Sequence, residues 1–526
     1  MQFILNIFSI DDVARWRETF SWPVLTNELR DIELAVHKSL VATIRGADGN
    51  ARIAGRLAAG WLYTQLTDWI ALALFVDRAC KDGVEFVFTN CRLDNGSVPA
   101  KNMLADVAGG ASPQFQFFDR FFNEIYLRKS PFLMRRLRQS ASWVKQQQRL
   151  NPKGFFSGKT LVVHPNPDVL SYVAKKGISF RLIRVSKYFE TYSLETVQKV
   201  VLDAGHKKMC ADIVKSVSDI SFEYIGKPYP TEWNAIFVEG VERLIKLITL
   251  DLGRLSRVLP DFSGKEILTG THGNYFTRLI SHVIRSKGGN VVTFPHGGGS
   301  TGVFWNKFPL TEFEIPNEFA LYGDKELVSA MRYETIDNNV TFRMCKGVMP
   351  SVLERADGFQ RPPIELDAIN TVMYVAPGYF GDRQGAQVIP EVVHFDLELR
   401  IVEYFLSLGK RVIYKLRPKT RLYGKGFRLL EYFENKNVIF EERPFSNPDV
   451  YNATDLFVFS KVSSTALYEA IHLTNTPILL YLTGSPSITD EFIKMNRVHV
   501  CDLFHDERGR LLFDAPELTR KLARWV

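Results

Sequence analysis

Short apolar runs alternate with helix-forming stretches over the last third of the chain. The runs that predict β-strands are residues 371–375, 411–415, 438–440, 456–459 and 478–481. Apolar residues recur at helical spacing in residues 391–408, 427–435, 447–453 and 464–473. Strands separated by helices form a parallel sheet, because the helix returns the chain to the starting edge. The pattern predicts a doubly wound α/β domain over residues 367–526.

A similar alternation, interrupted by a long helical stretch, predicts another α/β domain over residues 156–345. Its predicted strands are residues 160–164, 180–185, 266–270, 290–294 and 319–322. Residues 168–176 and 275–287 are predicted helices, and residues 194–259 are predicted to be a long helical excursion before the second strand–helix–strand unit. Units of this kind again build a parallel sheet.

The flanking regions lack this alternation. Residues 1–155 are predicted to be a largely helical N-terminal region packed on the first α/β domain, with helices at 11–47, 51–81 and 113–148 and one strand at 84–90. Residues 346–366 carry little periodicity and contain Pro350, Pro362 and Pro363, so they are the expected connection between the two α/β domains.

Composition narrows the class of protein. Of the 526 residues, 46% are hydrophobic and 24% charged, which excludes a disordered or fibrous chain. A net charge of +8 suits phosphate-bearing ligands or an anionic surface but is too dilute to indicate nucleic acid. Five scattered cysteines without a CxxC pair predict reduced thiols. The first residues lack a signal-peptide pattern, and the longest apolar run, residues 69–76, falls short of the roughly 18–20 residues that span a bilayer. We therefore expect a cytoplasmic protein.

Two loops of the first α/β domain place a histidine beside glycine after a predicted strand. Residues 294–300 read FPHGGGS, so His296 precedes Gly297 and Gly298, whose N–H groups can surround an anion. Residues 269–274 read TGTHGN, which puts His272 near a helix N-terminus, where the dipole lowers an imidazole pKa. Either histidine can exchange a proton near neutral pH. The alternatives are a surface turn with an uninvolved His296 and an N-cap loop at His272.

A strand end of the second α/β domain is basic. Residues 414–419 read YKLRPK, and Lys415 and Arg417 project to the same side of an extended strand that Pro418 ends. A guanidinium beside an ammonium, with Lys419 following, suits a phosphate or carboxylate. The alternative is a solvated edge cluster.

A hydroxyl-rich loop follows the next apolar strand and opens a helix. Residues 460–470 read SKVSSTALYEA, so Ser463, Ser464 and Thr465 lie at the helix N-terminus, where N–H groups and hydroxyls bind phosphate. Glu469, one turn into the helix, can reach a ribose hydroxyl pair. The alternative is an ordinary N-cap with a solvated glutamate.

A weaker candidate and several missing motifs complete the set of candidate sites. Residues 376–383 read APGYFGDR, so Tyr379, Asp382 and Arg383 either line a cleft or belong to an ordinary glycine-rich loop. The sequence contains no P-loop, no dinucleotide-binding glycine pattern and no zinc-ligand spacing. The acidic residues 396–398 fall inside a predicted helix and are expected on its solvated face. We therefore expect neither a cofactor nor a metal.

The order of these motifs resembles glycosyltransferases with two facing Rossmann-like domains, the GT-B fold. The motifs are His-Gly at 296–297 or 272–273, Lys-x-Arg-Pro at 415–418 and the double serine at 463–464. They are most similar to bacterial transferases that use cytidine-linked donors, including Kdo transferases, polysialyltransferases and teichoic-acid glycerophosphotransferases. The resemblance covers residues 265–526. It departs at Lys419, where those families have histidine, so this segment supplies charge rather than a catalytic histidine.

The resemblance implies a function and partners. The donor would be a CMP-linked Kdo or similar acidic sugar. The acceptor would be a glycan or lipid-linked precursor of a capsule or O-antigen. Residues 463–465, Lys415 and Arg417 would meet the departing phosphate without a metal, and His272 or His296 would be the base.

Membrane contact and other functions stay open. Arg135, Arg136 and Arg138 lie on a predicted helical stretch that is either a solvated face or rests on the inner face of the cytoplasmic membrane. The alternatives to a glycosyltransferase are a nucleotide-sugar epimerase or glycerophosphotransferase of the same fold, and a non-catalytic partner in polysaccharide assembly.

Overall fold

The fold is given by a computed structural model. It describes residues 24–81, 160–183, 185, 188–190, 192–226, 231–295, 303–304, 308–321, 334–337, 340–345, 365–376, 391–416, 432–433, 436–445, 447–460, 464–482, 487–488 and 498–524. The predicted strand at 84–90 and the helix at 113–148 with its basic cluster lie outside these ranges.

Strands and helices alternate along both sheet-forming parts of the described chain. The strands are β1 (Thr160–Val163), β2 (Phe180–Ile183), β3 (Glu266–Thr269), β4 (Asn290–Thr293), β5 (Val303–Phe304), β6 (Glu318–Leu321), β7 (Thr341–Met344), β8 (Thr371–Val375), β9 (Arg411–Lys415), β10 (Val438–Glu441), β11 (Leu456–Phe459), β12 (Ile478–Leu482), β13 (Ser487–Ile488), β14 (His499–Asp502), β15 (Phe504–His505) and β16 (Leu511–Leu512). The α-helices are α1 (Thr26–Gly46), α2 (Gly49–Lys81), α3 (Pro167–Lys175), α4 (Leu194–Gln198), α5 (Ala204–Ile225), α6 (Thr231–Val258), α7 (Tyr275–Ser286), α8 (Glu391–Ser407), α9 (Pro448–Tyr451), α10 (Thr465–Leu473) and α11 (Ala515–Arg524). A π-helix spans Pro309–Phe313 and a 3₁₀-helix spans Leu366–Ala368.

Two six-stranded parallel sheets form the cores. The first has the order β2-β1-β3-β4-β6-β7, and the second has the order β10-β9-β8-β11-β12-β14. Counted within its own sheet, the second order is 3-2-1-4-5-6, that of the dinucleotide-binding fold. The first order, 2-1-3-4-5-6, contains the flavodoxin-like order 2-1-3-4-5. Both sheets are Rossmann-like, which confirms the predicted α/β class with two such domains.

Each sheet has a switch point, where the strand order reverses and ligands bind in folds of this kind. In the first sheet it lies between β1 and β3, and in the second between β8 and β11. The strands beside it end level with one another, because Val163 pairs with Thr269 and Val375 pairs with Phe459. The loops that follow these strands therefore begin at one edge of each sheet.

The chain divides into two compact units, each built on one sheet. The unit of the first sheet comprises Ile32–His296 and Asn306–Pro350. The unit of the second sheet comprises Met1–Asp31, Gly297–Trp305 and Ser351–Val526. Within the latter, β5 pairs with β13 in an antiparallel arrangement, so a segment that follows β4 in sequence adds a strand to the other unit.

Helix α2, like α1 from Ile32 onward, belongs to the unit of the first sheet, and α2 packs there through aromatic and charged side chains. Trp69 lies 5.7 Å from Phe237, and Trp61 lies 5.5 Å from Tyr275, between ring centroids. The guanidinium of Arg56 pairs with buried Glu314. None of the helices in the described ranges combines the length and apolar character that crossing a bilayer requires.

The structure adds detail to the sequence prediction in two places and corrects it in a third. The predicted helical excursion at 194–259 is three helices, because Asp203 caps the start of α5 and Gly226 ends it at φ +75°. Strands β7 and β14 at the sheet edges were not predicted. The acidic residues of α8 are not solvated: Asp396 is 2% exposed and Glu398 is fully buried.

Candidate functional site

The first switch point begins at His164, directly after β1. Its φ of +51° makes it the only non-glycine residue with a positive φ in the described ranges. Left-handed backbone costs a non-glycine residue roughly 1–2 kcal/mol. Such strain persists where the surroundings enforce it and is frequent at active sites. Here the backbone N–H of Gly270, after β3, donates to the His164 carbonyl at 3.1 Å. The sequence analysis missed His164, whose signal was its place directly before Pro-Asn-Pro at a strand end.

Asn166 joins the loops after three strands. Its Nδ2 donates to the carbonyls of Gly270 at 2.9 Å and Pro295 at 2.8 Å, and its Oδ1 accepts from Val169 N–H, which caps α3. One side chain thus connects the residues that follow β1, β3 and β4. The loop that carries His296 begins directly after Pro295.

His272 is enclosed beneath this edge. Its imidazole is fully buried, and Nδ1 lies 2.5 Å from Thr293 Oγ1 in a hydrogen bond. Burial, then the positive charge of Arg278, holds the pKa of His272 well below its usual value. The pKa of His272 is therefore lowered, in the direction that the sequence predicted. Its largest cause is burial, however, and not the helix dipole that the sequence argument invoked. A side chain with no exposed surface does not reach an acceptor in this conformation, and its role as a base stays a prediction.

A buried glutamate accepts hydrogen bonds from the N–H groups of the loop at 271–273. Glu312, in the π-helix, accepts hydrogen bonds from Thr271 Oγ1 at 2.7 Å, His272 N at 2.8 Å and Gly273 N at 3.1 Å. Burial raises the pKa of Glu312, and these donors together with Arg278 oppose the rise. An internal carboxylate therefore fills the place where an external anion would bind. Sequence reasoning missed Glu312, since nothing local links it to a loop some 40 residues earlier.

Lys415 and Glu469 share one electrostatic environment at the second sheet. Lys415, the last residue of β9, is 3% exposed, and its Nζ donates to the carbonyls of Leu416 at 2.5 Å and Glu441 at 3.3 Å. Burial lowers the pKa of Lys415 to about 8, against the attraction of Glu441, Glu442 and Glu469. Burial likewise raises the pKa of Glu469, which Lys415 opposes. Strands β9 and β11 flank β8, so the two residues come from both sides of the switch point.

The N-terminus of α10 lies directly after β11 at the same edge. Ser464 is its N-cap residue by backbone conformation, but its hydroxyl makes no capping hydrogen bond. A half-buried hydroxyl beside first-turn N–H groups suits an anionic ligand more than it suits the helix itself. Beneath it, Ser460 Oγ contacts Tyr374 OH at 2.5 Å, and Tyr414 OH donates to Glu398. These buried hydrogen bonds lie in the interior of the unit, next to this edge of the second sheet.

The remaining predicted site residues fall outside the described ranges. They are His296, Gly297, Gly298, Tyr379, Asp382, Arg383, Arg417, Lys419 and Ser463, together with the side chain of Thr465. Their roles stay predictions.

Comparisons with known proteins give a distant likeness. No family model and no curated protein matches this chain. Among solved structures, it is similar to Arabidopsis thaliana UGT89C1 complexed with UDP-L-rhamnose, with a TM-score of 0.35 and 13% identity over 70% of this chain and 90% of that one. It is also similar to Phytolacca americana UGT2 complexed with UDP-2fluoro-glucose and pterostilbene, with a TM-score of 0.32 and 12% identity over 69% of this chain and 89% of that one. The fold assignment rests on the strand orders of the two sheets.

Proposed function

We propose that this protein is a glycosyltransferase that moves a sugar from a nucleotide-activated donor to a glycan or lipid-linked acceptor, without a metal. The observation that carries the proposal is the second switch point. There the N-terminus of α10, whose Ser464 hydroxyl makes no capping hydrogen bond, and the opposite charges of Lys415 and Glu469, which influence each other's pKa, lie at one edge of the sheet. Phosphate suits the helix N-terminus, and a ribose diol suits the carboxylate.

The chemistry follows from where charge develops. As the acceptor oxygen bonds to the anomeric carbon, the bond from that carbon to the nucleotide phosphate breaks, and the phosphate keeps the electron pair. The N–H groups at the start of α10 and the ammonium of Lys415 stabilise that negative charge. The acceptor hydroxyl loses its proton to an imidazole of the first sheet. Half-buried His164 suits this task better than fully buried His272, and His296 remains the other candidate.

The donor class in this proposal is a CMP-linked Kdo or similar acidic sugar. It rests on the motif order of His-Gly, Lys-x-Arg-Pro and Ser-Ser, which resembles cytidine-dependent transferases. The corresponding acceptor is a precursor of a bacterial capsule or O-antigen, met at the inner face of the cytoplasmic membrane.

A thermal-shift panel of CMP, CDP, UDP, GDP and ADP tests the proposal. A nucleotide at about 100 times its Kd should stabilise the native protein by about 2.7 kcal/mol. We expect a cytidine nucleotide to do so, and Ser464→Ala combined with Glu469→Gln to lose the effect. Ser407→Ala is the matched control, since its exposed hydroxyl donates to the Tyr404 carbonyl at the far end of α8. A shift with UDP alone would replace the donor class, and no shift with any nucleotide would overturn the proposal.

Because the pKa of Lys415 is lowered, we expect the nucleotide affinity and the stability of the ligand-free protein to change with pH in opposite directions. Affinity for the nucleotide should fall as pH rises through about 8, because the ammonium loses its charge there. The stability of the ligand-free protein should rise between about pH 8 and 10.5, since the unfolded chain, with its ordinary lysine pKa, then binds more protons than the native one. Titration calorimetry and melting curves across this range measure both. Lys415→Met should flatten both trends, and unchanged trends in that variant would assign them to another group.

A further inference from the structure

A single carboxylate holds the loop between β3 and α7 in place. Glu312 is 4% exposed, and both of its oxygens are used: Oε1 accepts from Thr271 Oγ1 and Gly273 N, and Oε2 accepts from His272 N. A buried carboxylate is costly unless hydrogen bonds compensate it. Here all three compensating donors come from one loop, so the arrangement fixes that loop in a single conformation.

The loop fixed by Glu312 reaches the strained histidine. Gly270, directly before Thr271, donates to the His164 carbonyl at 3.1 Å and accepts from Asn166 Nδ2 at 2.9 Å. His272 in the same loop packs against Thr293 of β4 through its Nδ1. The positions of His164 and His272 therefore both depend on the conformation that Glu312 enforces.

Glu312 is itself held rigidly. It lies in the π-helix Pro309–Phe313. Turns of this kind are rare in proteins, and many of those that occur lie at functional sites. Fully buried Arg278 donates to the carbonyls of Leu310 and Thr311 on that turn, and also to the carbonyl of Arg56 in α2. The turn is thus anchored from α7 and from the N-terminal helices.

We propose that Glu312 is a positioning residue that sets the geometry of His164 and His272 through the loop at 270–273. The catalytic consequence rests on the proposed function, in which an imidazole at this edge accepts the acceptor's proton. The positional claim concerns the two rings and can be tested without any substrate.

Glu314 offers a matched comparison. It lies two residues further on and is 2% exposed, and its carboxylate accepts from Ile336 N and pairs with Arg56. Each of its described hydrogen bonds and ion pairs is to a residue outside the loop at 270–273. Glu312→Gln and Glu314→Gln both remove a deeply buried charge from the same cluster, so a merely structural role predicts similar effects for the two.

The experiment compares Glu312→Gln, Glu314→Gln and Thr271→Val in the full chain. Thr271→Val removes one donor to Glu312 without changing the carboxylate, which keeps the test open if Glu312→Gln does not fold. Imidazole ¹H–¹⁵N spectra report the surroundings of His164 and His272, and hydrogen exchange reports the amides of His272 and Gly273. Glu312→Gln and Thr271→Val should shift both ring signals and speed amide exchange, whereas Glu314→Gln should leave them unchanged.

The activity experiment measures the rate of sugar transfer by the folded fraction of each variant. Glu312→Gln should lower kcat about 10- to 100-fold at an unchanged donor KM, as losses of supporting hydrogen bonds do at other sites. Glu314→Gln should stay close to wild type. Ring signals that do not move in Glu312→Gln and Thr271→Val, or equal changes in the two glutamate variants, would overturn the inference. Absence of transfer in the wild type would instead overturn the proposed function and leave the spectroscopic result to decide the role of Glu312.

Discussion

Replacing His164 by glycine is expected to slow sugar transfer strongly without destabilising the protein. A positioned general base contributes about 10²- to 10⁴-fold to the rate, so transfer should fall by a factor in that range. Because His164 has φ +51°, glycine adopts its backbone conformation without the penalty that a side chain brings. His164→Gly should therefore be about 1 kcal/mol more stable than His164→Ala, which keeps the strain.

The pair of variants separates catalysis from folding. The rate of transfer should fall by the same factor in His164→Gly and His164→Ala, whereas His164→Gly should be the more stable of the two in urea unfolding. Nucleotide-induced thermal shifts should persist in both, because the proposed donor site lies on the second sheet. If His164→Gly retains wild-type transfer, His164 is not the base, and His296→Ala and His272→Ala become the deciding variants.

The largest effect on stability is expected from Gly270→Ala. A Cβ at this position would lie 2.5 Å from Asn166 Cγ and 2.8 Å from Asn166 Nδ2. The Asn166 amide would have to move, and its hydrogen bonds to the carbonyls of Gly270 and Pro295 would be lost. Overpacking costs about 1–3 kcal/mol, and each buried polar group left unpaired costs a similar amount. We expect a loss of several kcal/mol by these terms together.

Gly253→Ala is the control for this prediction. Gly253 lies exposed in α6, and a methyl group added there would meet no neighbouring atom within 4 Å. Alanine there should stabilise the protein by about 0.5–1 kcal/mol, since it is the better helix former. Chemical denaturation of both variants measures the contrast. A Gly270→Ala protein as stable as the wild type would mean that Asn166 does not join the three loops.

The sheets were largely predictable because their central strands are short, apolar and buried. The four residues of β11 are all buried, and the run at 456–459 was predicted with the bounds observed. The edge strands β7 and β14 escaped prediction, because most of their residues are only partly buried and their sequences, TFRM and HVCD, mix polar with apolar residues. Helix α8 was expected at 391–408 and found at Glu391–Ser407, yet its solvated face was assigned wrongly. Apolar periodicity does not reveal that Tyr414 donates to Glu398 in the core.

The sequence predicted candidate residues at the ends of strands, and several of their surroundings became visible only in the structure. By itself, the sequence determined that two parallel sheets form, that loops bearing glycine or hydroxyl groups follow strands, and that a lysine ends one strand, because local propensity and strand–helix alternation are encoded along the chain. Only the tertiary structure decided that His272 is buried and that the backbone of His164 is strained. It also decided that Asn166 joins three loops and that Glu312 accepts hydrogen bonds from the N–H groups of the loop at 271–273. These features are contacts between residues far apart in sequence. Burial and hydrogen bonding, which set the pKa and the accessibility of each group, arise only when the strands assemble.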